Sequence, residues 1–208
     1  MRRPSLFAIL ALGLLAGIGF ASPASATVIM YSANLTGPNE SPPNASPALG
    51  FALITIDDVG NTMEVEATFS GLLGTDTAAH IHCCTAVADT GTAGVATVTP
   101  TFTGFPLGVT SGTYDHTFVD MTLTSSGNYN PAFVTANGGT AAGAFNVLLA
   151  GMAASEAYFN IHSNVFPGGE IRGFLHVQEQ TVPEPASIAL LGIGLAGLGF
   201  GRRKRNQI

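Results

Sequence analysis

YFNIHSNVFPGGEIRGFL, residues 158–175, is the stretch on which the fold turns. Two short runs of alternating apolar and polar residues flank a Pro-Gly-Gly corner at Pro167–Gly169, the pattern of a β-hairpin. Side chains on a strand alternate faces, so Asn160 and His162 share one side, as do Glu170 and Arg172. Upstream, Ala78–Cys84 (AAHIHCC) repeats the Ile-His ending, with His80 and His82 on one face and Ile81 on the other. The echo continues into Gly94-Val95 and Gly169-Glu170-Ile171, as expected of two strand–loop–strand units that pair within one fold. The two segments hold three of the five histidines, and Arg172 is the only base between the two ends of the chain.

Around this centre the chain reads as short strands broken by Gly and Pro. Val28–Leu35 is a first strand, and the four prolines of Thr36–Pro47 mark a long turn-rich loop. Leu49–Asp57 is apolar on both faces, as expected for a central strand. Thr62–Ser70 alternates cleanly, with Met63, Val65, Ala67 and Phe69 inward and Glu64, Glu66 and Thr68 outward. Asp57, Asp58 and Asn61 form the turn between them, where local side-chain hydrogen bonds are the simpler reading and a calcium turn the sharper one. Ala93–Thr99 is a further expected strand, Pro100–Gly112 an excursion, and the β-branched His116–Leu123 another strand. Ala141–Ala150 is the best helix, with Gly151 as its stop. The sum is a mainly antiparallel, immunoglobulin-like β-sandwich or barrel of about seven or eight strands with one short helix.

Composition narrows the function. Between Thr27 and Thr181 a single base faces twelve acids, a net charge of about −11 that would repel phosphate backbones and excludes nucleic acid as partner. No Trp and only four Tyr leave little aromatic surface for stacking on sugar rings. Among the familiar hydrolase and nucleotide patterns, GxSxG, HExxH, Walker A and the Rossmann glycines are absent from the sequence.

Both ends read as addresses. Met1–Ala26 has Arg2 and Arg3, an apolar run and a small-residue site, Ala24-Ser25-Ala26, which is the grammar of a secretory signal peptide. At the other end Val182-Pro183-Glu184-Pro185 precedes sixteen residues, Ala186–Gly201, of apolar character and then Arg202-Arg203-Lys204-Arg205. That hydrophobic helix lies just under the spanning length of roughly 17–25 residues, so transient inner-membrane association is expected, with the basic end held in the cytoplasm. Residues 182–208 closely resemble the PEP-CTERM sorting signal of Gram-negative bacteria. The resemblance implies export across the inner membrane and processing near Pro183–Pro185 by an exosortase-type enzyme. It also implies an association with extracellular polysaccharide or biofilm matrix at the envelope.

The body, residues 27–181, resembles the CHRD domain, the module named for chordin. The matching residues are Leu35–Pro43 (LTGPNESPP), Phe69–Leu72 (FSGL), Ala78–His82 (AAHIH), Phe159–His162 (FNIH) and Pro167–Gly173 (PGGEIRG). Cys83-Cys84 depart from the Gly-Pro common at that place in the family. The resemblance implies an extracellular immunoglobulin-like β fold without catalytic activity.

Three constellations carry chemistry. Neutral imidazoles two apart on a strand can converge on zinc or copper, and His162 is the natural third ligand to His80 and His82. Cys84 shares their face by period, but lies about 13 Å from His80 at roughly 3.3 Å per residue, too far for one ion. The plainer reading is three sheet histidines bonded to backbone or carboxylates. Glu170 and Arg172 offer a ligand carboxylate and an anion clamp, or else structural ion pairs. Cys83 and Cys84 leave open a vicinal disulfide, an intermolecular bridge, metal thiolates or buried thiols; adjacent Cα atoms sit about 3.8 Å apart against the usual 4.4–6.8 Å of a disulfide. The reading is of a non-enzymatic exported structural or adhesive module, with no cofactor. The alternative is a copper- or zinc-binding, redox-active protein using His80, His82 and His162.

Overall fold

The computed structural model describes residues 28–178, so the expected signal peptide and the Val182–Pro185 motif with its hydrophobic helix lie outside the described residues. Eight strands form one curled, half-barrel sheet in which every registered pair of strands is antiparallel. They are β1 (Val28–Thr36), β2 (Leu49–Asp57), β3 (Thr62–Ser70), β4 (Asp76–His82), β5 (Gly112–Phe118), β6 (Tyr158–Ser163), β7 (Ile171–Phe174) and β8 (His176–Val177). The order is β4-β6-β7-β1-β2-β3-β5, with β8 also against β1. Two helices, α1 (Pro131–Ala136) and α2 (Ala141–Ala153), lie between β5 and β6. Among the described residues no helix is long and apolar enough to cross a membrane.

Alternation sets the core. Tyr31, Ala33 and Leu35 of β1, Ala52, Ile54 and Ile56 of β2, and Met63, Val65, Ala67 and Phe69 of β3 all face inward and are buried. Ala79 and Ile81 of β4, Phe159 and Ile161 of β6 and Ile171 of β7 continue this face, and Phe145, Leu148 and Met152 of α2 join the same cluster. The register explains why β7 can join the sheet through so few pairs. A Cβ at Gly173 would run into the Asn34 carbonyl, so only glycine lets β7 lie so close to β1.

Strand β2 is central, as expected, paired with β1 and β3, and its outer face is open, with Leu49 63% and Phe51 42% exposed. Three local expectations are corrected. Ala93–Thr99 is no regular strand but an irregular run beside β4. Ala96 and Thr97 both donate to the Ile81 carbonyl, while the Thr97 and Thr101 hydroxyls accept the Ile81 and Ala79 amides. Side-chain oxygens thus take the place of a ladder on this edge. The strand expected over His116–Leu123 begins earlier and ends at Phe118, since Asp120 adopts a left-handed φ of 57° that turns the chain. Helix α2 continues through Gly151 to Ala153, starting where the Thr140 hydroxyl caps the Gly143 amide at 3.0 Å.

Candidate metal centre

The hairpin and the Ala78–His82 segment are neighbours, and their register builds the site. Strand β4 pairs with β6 so that His80 faces Asn160, His82 faces Tyr158 and Ala78 faces His162. On the other side β6 pairs with β7, placing Arg172 opposite Asn160 and Phe174 opposite Tyr158. One face of three adjacent strands therefore carries His80, His82, Tyr158, Asn160, His162 and Arg172, while Ile81, Phe159, Ile161 and Ile171 fill the core on the other. Loops roof this polar face, so His80 and His82 are buried and His162 partly so.

Each imidazole is anchored through one nitrogen. His80 Nε2 meets the Pro100 carbonyl at 2.5 Å, His82 Nδ1 the Ala93 carbonyl at 2.9 Å and His162 Nδ1 the Pro167 carbonyl at 2.9 Å. A carbonyl can only accept, so each of these ring nitrogens carries the proton and the other ring nitrogen presents a lone pair. Those three bare atoms, His80 Nδ1, His82 Nε2 and His162 Nε2, are buried without a hydrogen-bond partner. One ligand atom from each histidine lies within 4.8 Å of the others. Three nitrogens at that outer limit have a common centre about 2.8 Å from each, so inward shifts of roughly 0.7 Å reach the Zn–N length of about 2.0–2.1 Å. The donor set suits zinc or copper, and carbonyl-anchored tautomers are the supporting shell such ions require.

Electrostatics agree with neutral ligands. Burial is the main cause that lowers His80 and His82 to about 4, with the neighbouring imidazoles adding repulsion and the Pro100 and Ala93 carbonyls opposing it. Burial also lowers His162, against the pull of the Pro167 carbonyl. The Tyr158 ring stacks on His82 at 4.8 Å between centroids, and the Arg172 guanidinium lies 4.6 Å from the centre of the Tyr158 ring.

Glu170 and Arg172 do not pair with one another. Glu170 is fully buried and accepts from the Ser46 hydroxyl at 2.7 Å, the Leu73 amide at 2.6 Å and the Gly74 amide at 3.3 Å. Burial pushes its carboxyl up, but these bonds and one from Ser163 outweigh it and hold the group below the usual range. It braces three loops. Arg172 donates to the Asn39 and Gly91 carbonyls and lies 3.8 Å from Glu40, whose carboxyl burial raises to about 7 against the Arg172 charge and the Ser41 amide.

Cys83 and Cys84 are joined to each other by a disulfide. The chain leaves β4 at His82, so Cys84 does not continue the face of the histidines; both sulfurs instead lie against α2 near Val147 and Gly151. The Asp57 turn is held by its own carboxylate, which accepts from the Val59 and Gly60 amides. Glu40, Tyr158 and Asn160 are the neighbours that the sequence reading did not place at the site. The one sign of Glu40 was a single carboxylate in a Pro-rich loop, and of Asn160 its shared face with His162.

The description CHRD domain matches residues 31–175, most of the chain. The chain belongs to the CHRD family. The PEP-CTERM protein-sorting motif matches residues 181–205, which implies export to the envelope of a Gram-negative bacterium and processing by an exosortase. We found no match among curated proteins or among solved structures. In this CHRD domain the histidine face thus belongs to a protein addressed outside the cytoplasm.

Proposed function

We propose that this exported CHRD protein is a metal-binding protein in which His80, His82 and His162 hold one zinc or copper ion. The observation that carries the reading is the set of three buried, bare ring nitrogens whose partner nitrogens are each fixed by a backbone carbonyl. Three sheet histidines in unrelated hydrogen bonds would have no reason to gather one ring nitrogen each within 4.8 Å of the others. Burial of unpaired acceptors is costly, by about 1–3 kcal/mol each, and an ion removes that cost. Elemental analysis of the exported protein, beside His82→Ala and His162→Ala variants, tests this. About one equivalent of copper or zinc, lost in both variants with the fold retained, supports it; metal-free protein that also fails to take up either ion in titration refutes it.

A structural or adhesive role in the extracellular matrix is the second reading, favoured by the open outer face of β2. Leu49 and Phe51 are exposed there beside a groove formed with Thr68, Ser70 and Gly112. Retention of the exported protein on extracellular polysaccharide, reduced by Phe51→Ser, would support that role; equal retention of both proteins would refute this surface.

A further inference from the structure

Three histidines would leave a four-coordinate ion one position without a protein ligand, and two further buried polar groups, Asn160 and Glu40, lie on or against the same strand face. Among the described residues no fourth His, Cys, Asp or Glu belongs to the cluster. Asn160 stands directly opposite His80 on one side and Arg172 on the other, two residues before His162 on the same strand face. It is 2% exposed, yet its Oδ1 has no donor. Glu40 is 7% exposed, and its Oε1 has no donor either. Both oxygens gather over Gly169, each 2.7 Å from the place a Cβ there would take. The missing side chain, with the backbone at a φ of 133°, is what lets Glu40 and the Asn160 amide approach the turn so closely.

With Glu40 ionised, two buried acceptors stand there without donors, a place for a molecule with two O–H groups. We propose that the ion proposed above carries one exchangeable water as its fourth ligand, and that Asn160 Oδ1 and Glu40 Oε1 accept its hydrogens. An ion with three protein nitrogens and a replaceable water is of the reactive rather than the structural kind. Its fourth position would admit a small anion in place of water. Among the described residues Arg172 is the one Lys or Arg, and it pairs with the Glu40 carboxylate beside this pocket. The inference rests on the tris-histidine reading, and its test separates the two.

The exported chain is loaded with copper(II), its metal content measured, and azide added while the azide-to-copper absorption and the copper paramagnetic resonance are followed. Failure of the wild-type protein to take up copper overturns the metal reading itself and with it the water, before azide is used. With copper bound, a saturable azide spectrum is expected in the wild type. Azide brings no hydrogen for Asn160 Oδ1 or Glu40 Oε1, so Asn160→Ala should keep one copper and bind azide about two- to tenfold more tightly, the worth of one hydrogen bond, and Glu40→Leu, which removes the second acceptor together with its charge, should tighten it at least as much. A loaded wild-type protein blind to azide overturns the open position. Azide affinity unchanged in both variants overturns the role of these two oxygens. Loss of copper from either variant, with circular dichroism unchanged, would make that residue a ligand and overturn the water.

Discussion

Gly151→Ala should destabilise this domain although the same change ordinarily favours a helix. Ala is preferred over Gly inside a helix by about 1 kcal/mol. Here the new methyl would lie closer than 3.0 Å to the sulfurs of both Cys83 and Cys84. The disulfide ties the two sulfurs together, so neither can swing aside alone. Relief then requires α2 to back away from the core, loosening Phe145, Leu148 and Met152, all buried on the facing side. Overpacking of this kind costs roughly 1–3 kcal/mol, and we take the upper half because both contacts are hard. The net expectation is a loss of about 1–2 kcal/mol. In a Cys83→Ala/Cys84→Ala background the sulfurs are gone and the nearest remaining atom, the residue 84 Cβ, sits at an ordinary 3.4 Å. There Gly151→Ala should stabilise by up to about 1 kcal/mol. Urea unfolding of the four proteins closes the cycle, with a coupling of about 2–3 kcal/mol expected. A coupling within about 0.5 kcal/mol of zero would refute the packing of the disulfide on α2.

Three further outcomes follow from the buried groups. In metal-free protein His80 and His82, lowered to about 4 from 6.5, bind fewer protons folded than unfolded, so their contribution to stability is complete above pH 6.5 and lost as pH falls toward 4. Glu40, raised to about 7 from 4.5, opposes them, since its contribution is lost as pH rises through that window. Between pH 6.5 and 4.5 the Glu40 shift is worth about 2 kcal/mol, so Glu40→Gln should lose about 2 kcal/mol more than the wild type over that interval. Urea midpoints in chelator measure this, and a Glu40→Gln slope no steeper than wild type would count against the burial of Glu40. Glu170→Ala should cost about 3–5 kcal/mol by leaving the Ser46, Leu73 and Gly74 donors unpaired, read as a fall in the unfolding midpoint; a change under about 1 kcal/mol would show that the three loops do not depend on it. Arg172→Lys keeps the charge but cannot reach the Asn39 and Gly91 carbonyls together, and should cost about 1–3 kcal/mol; wild-type stability in Lys would show that charge alone suffices.

Period alone placed much of this structure. The limits of β3, the inward set Met63, Val65, Ala67 and Phe69, and the opposition of Ile81 to His80 and His82 all follow from side chains alternating on a strand. The helix was legible in its start and not in its end. Gly151 has the look of a stop, whereas its reason is the disulfide packed on it, a contact made by residues far away in the chain. The run over Ala93–Thr99 has strand composition, but Thr97 and Thr101 spend their hydroxyls on β4 amides, and composition cannot say where a hydroxyl will point.

The site divides in the same way. The sequence by itself determined which residues could act, because imidazoles two apart on a strand must share a face and a second Ile-His ending, Ile161-His162, supplies the partner. The address too was written locally, in the Val182–Pro185 motif and the residues after it. Tertiary structure alone decided that β4 lies beside β6 in a register that brings His162 to the other two, and that the β4–β5 connection offers the carbonyls of Ala93 and Pro100 while the β6–β7 turn offers that of Pro167. It also brought Glu40 across more than a hundred residues to Arg172 and set it over Gly169 beside Asn160. Spacing along a chain fixes faces, but register and loop closure are long-range choices, settled by the burial of Ile81, Phe159, Ile161 and Ile171 beneath the histidines.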